Sequence, residues 1–273
     1  MESPMPDLPA TLRVVYDRQG GAPRDVALAE VYLDLDFPSA IDRPFVYVNM
    51  VQTFDGQAVL QGRAYTIGTA VDHFLLRQLR VHADAVLYGA GTLRTDDVVV
   101  TTHPRLQDRR RREGRPRNPL AVIATATAQF SDQVFQTKKF FQRTDFDRLV
   151  ATTSRAAPPA LARLRAAGVT VEILPLDARG EVDLEALLRR LWDRGVRRVL
   201  CEGGPTLNAA LARAGLIDEI FVTTTLRLGG EAGQPRIFTE PVSSRRLIPL
   251  SVLLYADAEG LRELYFRFRF PRS

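Results

Sequence analysis

Residues 197–220 read RRVLCEGGPTLNAALARAGLIDEI. A short apolar run, 197–201, has the composition of a buried strand, and it passes through Glu202-Gly203-Gly204-Pro205 into a segment with Leu207, Ala210, Leu211 and Ala214 on one face and Gly215 at its end. This is the signature of strand, turn and helix. Glycine inside regular structure costs roughly 0.5–1 kcal/mol relative to alanine, so an adjacent pair marks a backbone shape or a close approach that a side chain would forbid. Proline in the first helical turn gives up no intrahelical bond, and the free N–H groups there can meet an anion such as a phosphate. In open α/β sheets, ligands bind beyond the carboxyl ends of strands at turns of this kind. The other reading of Gly203-Gly204-Pro205-Thr206 is a tight turn required only for packing.

The same grammar extends in both directions. Runs at 44–51, 83–89, 119–125, 148–152 and 169–174 read as further buried strands. Between them lie helical patterns. Thr69 and Asp72 resemble a capping box for a helix through about 82, Pro158-Pro159 open a second that Gly168 closes, and Asp183 precedes a third ending near Gly195. Alternating strands and helices predict an α/β fold with a mostly parallel central sheet, flanking helices and right-handed crossovers. The tail differs: 218–228, 247–257 and 261–270 are strand-like with no helix between them, which predicts an antiparallel edge. Arg267 and Arg269, alternating with Phe266, Phe268 and Phe270, read as guards of that edge. Residues 1–41 are expected to form a hairpin around DRQGGAPRD, an N-terminal extension packed on a body spanning 42–273.

Composition limits the function classes. The chain has 273 residues, 45% hydrophobic and 25% charged, enough for a substantial core. No apolar run approaches the ~20 residues of a membrane span, and the start carries no signal-peptide pattern, so a cytoplasmic protein is expected. The single cysteine, Cys201, and three scattered histidines offer no metal-ligand spacing. The excess of positive charge concentrates in HPRLQDRRRREGRPRNP, 103–119, read as a solvated, mobile loop because like charges repel. Aromatic residues do not interleave with those arginines, which argues against a nucleic-acid surface.

A second glycine turn, GAGTLRTDD at 89–97, follows the strand 83–89. It lacks the third glycine of the G-x-G-x-x-G dinucleotide fingerprint and is weak alone. Two glycine turns at the ends of two strands of one sheet could line a single dinucleotide cleft, which makes Gly89 and Gly91 candidates beside Gly203 and Gly204. A third feature, Thr53-Phe54-Asp55-Gly56, is a turn with a carboxylate at its tip.

Taken in order, VNMVQTFDGQAV, LRQLRVHADAVLYGAGTLRTDD, PLAVIATATAQF and VLCEGGPTLNAALARAGLIDEIFVTTTLRLGG resemble the riboflavin-biosynthesis pyrimidine reductases, the RibD C-terminal domain family, relatives of dihydrofolate reductase. The resemblance implies a dihydrofolate reductase-like fold and a homodimer. It also implies hydride transfer from NADPH to C1′ of a ribosylamino-pyrimidine 5′-phosphate, giving the ribitylamino form. A deaminase motif is absent, so a stand-alone reductase is implied. Matched position by position, Gln52, Thr92, Asp96, Thr125, Pro205, Thr206 and Leu207, with the glycines, fall at cofactor positions. Asp55, Arg80, Val100 and Glu202 fall at or beside substrate positions, and Asp55 and Glu202 are the catalytic candidates. His103, also at a substrate position, stands where the resemblance would put an arginine, so either an arginine of 109–117 substitutes for it or the substrate is not the usual phosphorylated pyrimidine. A reductase of another heterocycle such as a pterin, and a non-catalytic nucleotide or nucleic-acid binder, are the alternatives.

Overall fold

The structure, a computed structural model, describes residues 8–39, 41–60, 62–242, 244 and 246–271. The chain opens with a hairpin, β1 (Thr11–Asp17) and β2 (Arg24–Ala27). Next come β3 (Phe45–Thr53), α1 (Ala70–Arg80), β4 (Ala85–Gly89), α2 (Ala90–Thr95), α3 (Pro104–Arg112) and β5 (Leu120–Ala124). Then follow α4 (Asp132–Thr137), α5 (Lys139–Gln142), β6 (Arg148–Thr152), α6 (Pro158–Ala166), β7 (Thr170–Ile173), α7 (Leu184–Asp193), β8 (Arg198–Cys201) and α8 (Pro205–Arg213). The last strands are β9 (Glu219–Thr225), β10 (Ile248–Asp257) and β11 (Gly260–Arg269).

All of these strands join one sheet in the order β2-β1-β10-β11-β9-β3-β8-β4-β5-β6-β7. From β9 to β7 every pairing is parallel; from β9 to β2 every pairing is antiparallel. The expected mixed α/β fold with a parallel centre is therefore present. The parallel strands carry apolar side chains on both faces because helices cover both. Val46, Val48 and Met50 of β3 meet Leu187, Leu188 and Leu191 of α7 and Leu211 of α8 in one core layer. On the other face Phe45 and Tyr47 pack with Leu79 of α1, Phe140 of α5 and Leu164 of α6. Each such leucine removed from water contributes about 1.5–3 kcal/mol.

Two expectations are corrected. β11 is no edge strand: it lies between β10 and β9, and Arg267 and Arg269 each sit 2.8 Å from the carboxylate of fully buried Glu219. Their alternation with phenylalanine reflects a cross-strand ion pair rather than protection of an open edge. The arginine-rich run is likewise not a loop throughout: Pro104–Arg112 is helix α3. His103 caps α3 by accepting a hydrogen bond from Arg105 N at 3.3 Å, and Arg110 is fully buried. Arg110 donates to the carbonyls of Pro116 (2.8 Å), Val81 (2.9 Å) and Ala83 (2.5 Å), and Arg115 to those of Val81 (2.8 Å) and His82 (3.0 Å). The last carbonyls of a helix have no intrahelical donors, and guanidinium forks supply them here for α1. Burial, with the charge of Arg115, pushes Arg110 down to about 10, still protonated at neutral pH.

The N-terminus of α1 is also held from a distance. Thr69 accepts from Val71 N as the cap (3.2 Å), while its own N–H and hydroxyl donate to Glu263 of β11, both at 2.7 Å. Glu263 thus does for Thr69 N–H what the third residue of a capping box does. Asp72, expected in that role, is turned inward and only 5% exposed.

Candidate functional site

Beyond β3 the chain steps outward through β4, β5, β6 and β7, then returns through α7 to β8 and crosses β3 to reach β9. The direction of winding reverses at β8. Crevices form at the carboxyl ends of strands at such a point, and a cleft of about 1710 Å³ opens there.

Both glycine turns border it. Gly89 N donates to Gly203 O at 2.9 Å, and Glu202 N donates to Leu87 O at 3.1 Å, so the ends of β4 and β8 are joined by backbone bonds. Gly203 has φ +83°, and a Cβ there would sit 3.1 Å from Met50 Sδ; a Cβ on Gly204 would sit 3.2 Å from Thr92 Oγ1. A side chain on Gly204 would crowd the cleft rim, while Gly203 is required by its positive φ and its contact with Met50. Pro205 opens α8, whose first-turn amides have no partners within the helix. Asn208 fixes this turn from behind: its Oδ1 lies 3.4 Å from Cys201 Sγ and its Nδ2 donates to Ile237 O at 3.0 Å.

Of the residues singled out from sequence, Gly89, Gly91, Thr92, Asp96 and Thr125 line the cleft. Gly204, Pro205, Thr206 and Leu207 do so as well, with Arg80 and Glu202. Five others lie outside that lining. Gly203 packs beneath it against Met50, and Gln52 donates to Thr224 Oγ1 at 3.3 Å. Val100 is fully buried in the core layer under α1, and His103 caps α3. Asp55 stands exposed on its turn, where the Thr53 hydroxyl (2.5 Å) and Gly229 N–H (2.9 Å) lower its pKa.

Arg80 is not a surface residue. Its Nε and Nη2 meet the two oxygens of Glu202 at 2.7 Å each, and the Tyr88 hydroxyl donates to Glu202 Oε2, also at 2.7 Å. The two charged side chains keep only 12% and 8% of their exposure. Burial works against the charge on Arg80, and the Glu202 carboxylate outweighs it, holding the guanidinium above its ordinary pKa. Burial and the same carboxylate push the Tyr88 phenol up.

The sequence reading missed Asp72 as a residue of the cleft. Burial, then the neighbouring Glu263, push its carboxyl up from 3.8 to about 7, against a hydrogen bond from Thr223 that lowers it. A raised carboxyl pKa favours the fold while the group is protonated, and that contribution falls away as the pH climbs from the unfolded toward the folded value. The Asp72→Asn variant, neutral throughout, should therefore gain in Tm relative to the native chain as the buffer moves from about pH 4 to about pH 7. Melting curves across that range check it; a constant difference would contradict it. His73, one residue on, bonds Tyr65 O through Nε2 at 3.0 Å and stacks on the Tyr65 ring at 3.9 Å. Burial and the charges of Arg77 and Arg80 hold its pKa low.

Among the described residues no group of three His, Cys, Asp or Glu could hold a metal, and no helix is long and apolar enough to cross a membrane. Residues 44–257 match the family described as the RibD C-terminal domain. The chain belongs to that family.

Curated relatives agree with the RibD C-terminal domain assignment. The 2,5-diamino-6-ribosylamino-4(3H)-pyrimidinone 5′-phosphate reductase of Archaeoglobus fulgidus is 32% identical over 182 residues, 66% of this chain and 79% of the relative. The protein of the same name from Aquifex aeolicus is 26% identical over 199 residues, 70% of this chain and 81% of the relative. The riboflavin biosynthesis protein RibD of Escherichia coli is 25% identical over 198 residues, and the match takes in 49% of its length. Among solved structures, a pyrimidine reductase-like protein of Corynebacterium diphtheriae superposes with a TM-score of 0.71 at 23% identity, covering 85% of this chain and 94% of the other. That last likeness concerns the fold.

Proposed function

We propose that the chain binds NADPH across the two glycine turns and reduces a ribosylamino-pyrimidine 5′-phosphate at C1′ to the ribitylamino form. The Gly89 N to Gly203 O bond carries this reading, because it places two side-chain-free turns and the first turn of α8 at one rim of one cleft. Backbone amides there suit a pyrophosphate, each charge-assisted bond contributing on the order of 1.5–3 kcal/mol. The bound dinucleotide supplies the hydride. Gly89, Gly91, Thr92, Gly204 and Thr206 would hold it, with Asp96 and Thr125 further along the same wall.

The residues beneath the rim position the second reactant. Glu202 already accepts three hydrogen bonds from Arg80 and Tyr88, so it serves as a fixed acceptor for substrate hydroxyl or amino groups rather than as an acid. Hydride addition to an imine carbon needs a proton on its nitrogen. Asp72, lining the same cleft with its carboxyl at about 7, is the group suited to lend one near neutrality. Asp55 lies outside the lining. The name shared by the relatives supports the diamino-pyrimidinone phosphate as substrate. The homodimer rests on the family resemblance, and the cytoplasmic location on the sequence pattern alone.

The test is oxidation of NADPH followed at 340 nm with the diamino and the deaminated ribosylamino-pyrimidine phosphates side by side, NADH in parallel. Turnover of the diamino compound with NADPH is expected, and the product should carry an opened, reduced ribityl chain. No oxidation with either pyrimidine would refute the reading.

A further inference from the structure

We propose that Arg63 and Arg77 form the subsite for the phosphate ester of the second reactant, a deepening that rests on the function proposed above. His103, expected from the resemblance at a substrate position, lies at the cap of α3 and outside the cleft lining. None of the arginines of 103–119 lines the cleft: Arg110 and Arg115 serve carbonyls at the end of α1, Arg109 donates to Leu33 O at 2.8 Å, and Arg117 to Gln107 Oε1 at 2.8 Å. Arg80 is committed to Glu202.

The remaining cations of the cleft separate into two groups. Arg143 pairs with Asp145 at 2.7 Å, Arg179 and Arg213 share Glu240, and Lys139 pairs with Asp97 at 3.3 Å. Arg155 donates to Gly180 O at 2.6 Å and Arg94 to Gln129 O at 3.3 Å. Arg63, Arg77 and Lys138 line the cleft with no side-chain hydrogen bond or ion pair among the described residues. Lys138 belongs to the junction of α4 and α5, beside Asp97. Arg63 lies in the segment before α1 and Arg77 on α1 itself, both in the cleft lining.

There the two arginines are brought into one neighbourhood by the Tyr65–His73 stack. Arg63 precedes Tyr65 by two residues, and Arg77 follows His73 by one helical turn on α1. Among the described residues neither arginine has an ion-pair partner, and burial with the charges of Arg77 and Arg80 lowers the pKa of His73. Two unpaired guanidinium forks facing a cleft fit the planar, bidentate recognition of a dianionic phosphate. The glycine turns across the cleft would hold the dinucleotide's own pyrophosphate, so this second anion site is separate from the first.

The experiment uses the full chain with Arg63→Ala, Arg77→Ala and the double replacement, all checked for unchanged Tm. The readout is the ratio of kcat/KM for the pyrimidine substrate with and without its 5′-phosphate, beside calorimetric titration with ribose 5-phosphate. Each single change should lower the ratio about 10- to 100-fold, and the double change should abolish ribose 5-phosphate binding. A variant that was merely misfolded would lower both substrates together and leave the ratio. A native-like ratio in the double variant, or ribose 5-phosphate bound equally well by both proteins or by neither, overturns the subsite. Failure of the native chain to turn over either pyrimidine refutes the proposed function, and the titration still decides the subsite.

Discussion

Glu202→Ala should lower the stability of this chain by about 3–5 kcal/mol and remove its turnover. The replacement leaves Arg80, with 12% of its side chain exposed, charged and stripped of both acceptors it meets at 2.7 Å. It also takes away the acceptor of the Tyr88 hydroxyl. A buried cation without a partner keeps its desolvation penalty and loses the attraction that offset it. For a chain of this size the melting temperature should fall by roughly 10 °C. The double variant Arg80→Met with Glu202→Leu removes both charges at similar volume and should recover most of that loss, because an apolar pair often replaces a buried ion pair at little cost. It should remain inactive. Differential scanning calorimetry and the NADPH assay on both proteins separate the two roles; an active double variant would show that the pair serves folding alone.

Arg110→Ala is the second large effect. Ala83 O (2.5 Å) and Pro116 O (2.8 Å) would lose their side-chain donor, while Val81 O would keep only Arg115. Each unsatisfied buried acceptor costs about 1–3 kcal/mol, and the emptied volume adds to that. The expected outcome is loss of about 2–5 kcal/mol, measured by urea unfolding. Arg109→Ala, on the same helix but exposed enough to be bonded mainly to Leu33 O and Glu113, should cost under about 1 kcal/mol. Comparable losses at the two positions would mean that Arg110 is not what secures the end of α1.

The parallel half of the fold was legible because its signals are local. β6 occupies the expected 148–152, and Thr69 and Asp183 cap α1 and α7 as their spacing before leucine-rich runs predicted. What escaped depends on partners far along the chain. Thr69 and Asp72 look like a self-contained capping box, yet the carboxylate that answers Thr69 N–H is Glu263, 194 residues away. The arginine run looks like repelling charge, and no local rule says that the carbonyls of another helix await it. β11 has the alternation of an edge strand because Glu219, its neutralising partner, lies 50 residues upstream of Arg269. At the site, the glycine turns could be read from backbone logic alone. Arg80 and Glu202 were each assigned to substrate, whereas their 122-residue separation hid that they bind each other. Val100 and His103 came from resemblance only, and the structure places both outside the cleft lining.

The tether from Glu263 to Thr69 has a temporal consequence. During synthesis the chain emerges from its first residue onward, and β1 can find its place only after β10 exists, since β1 is bonded to β10 and β2 alone. Helix α1, whose residues line the cleft, is fastened by a side chain from the final strand. Such sequence-distant closures are slow steps. A nascent polypeptide can bring the two glycine turns together once α8 has emerged, but α1 is fastened only after β11 follows.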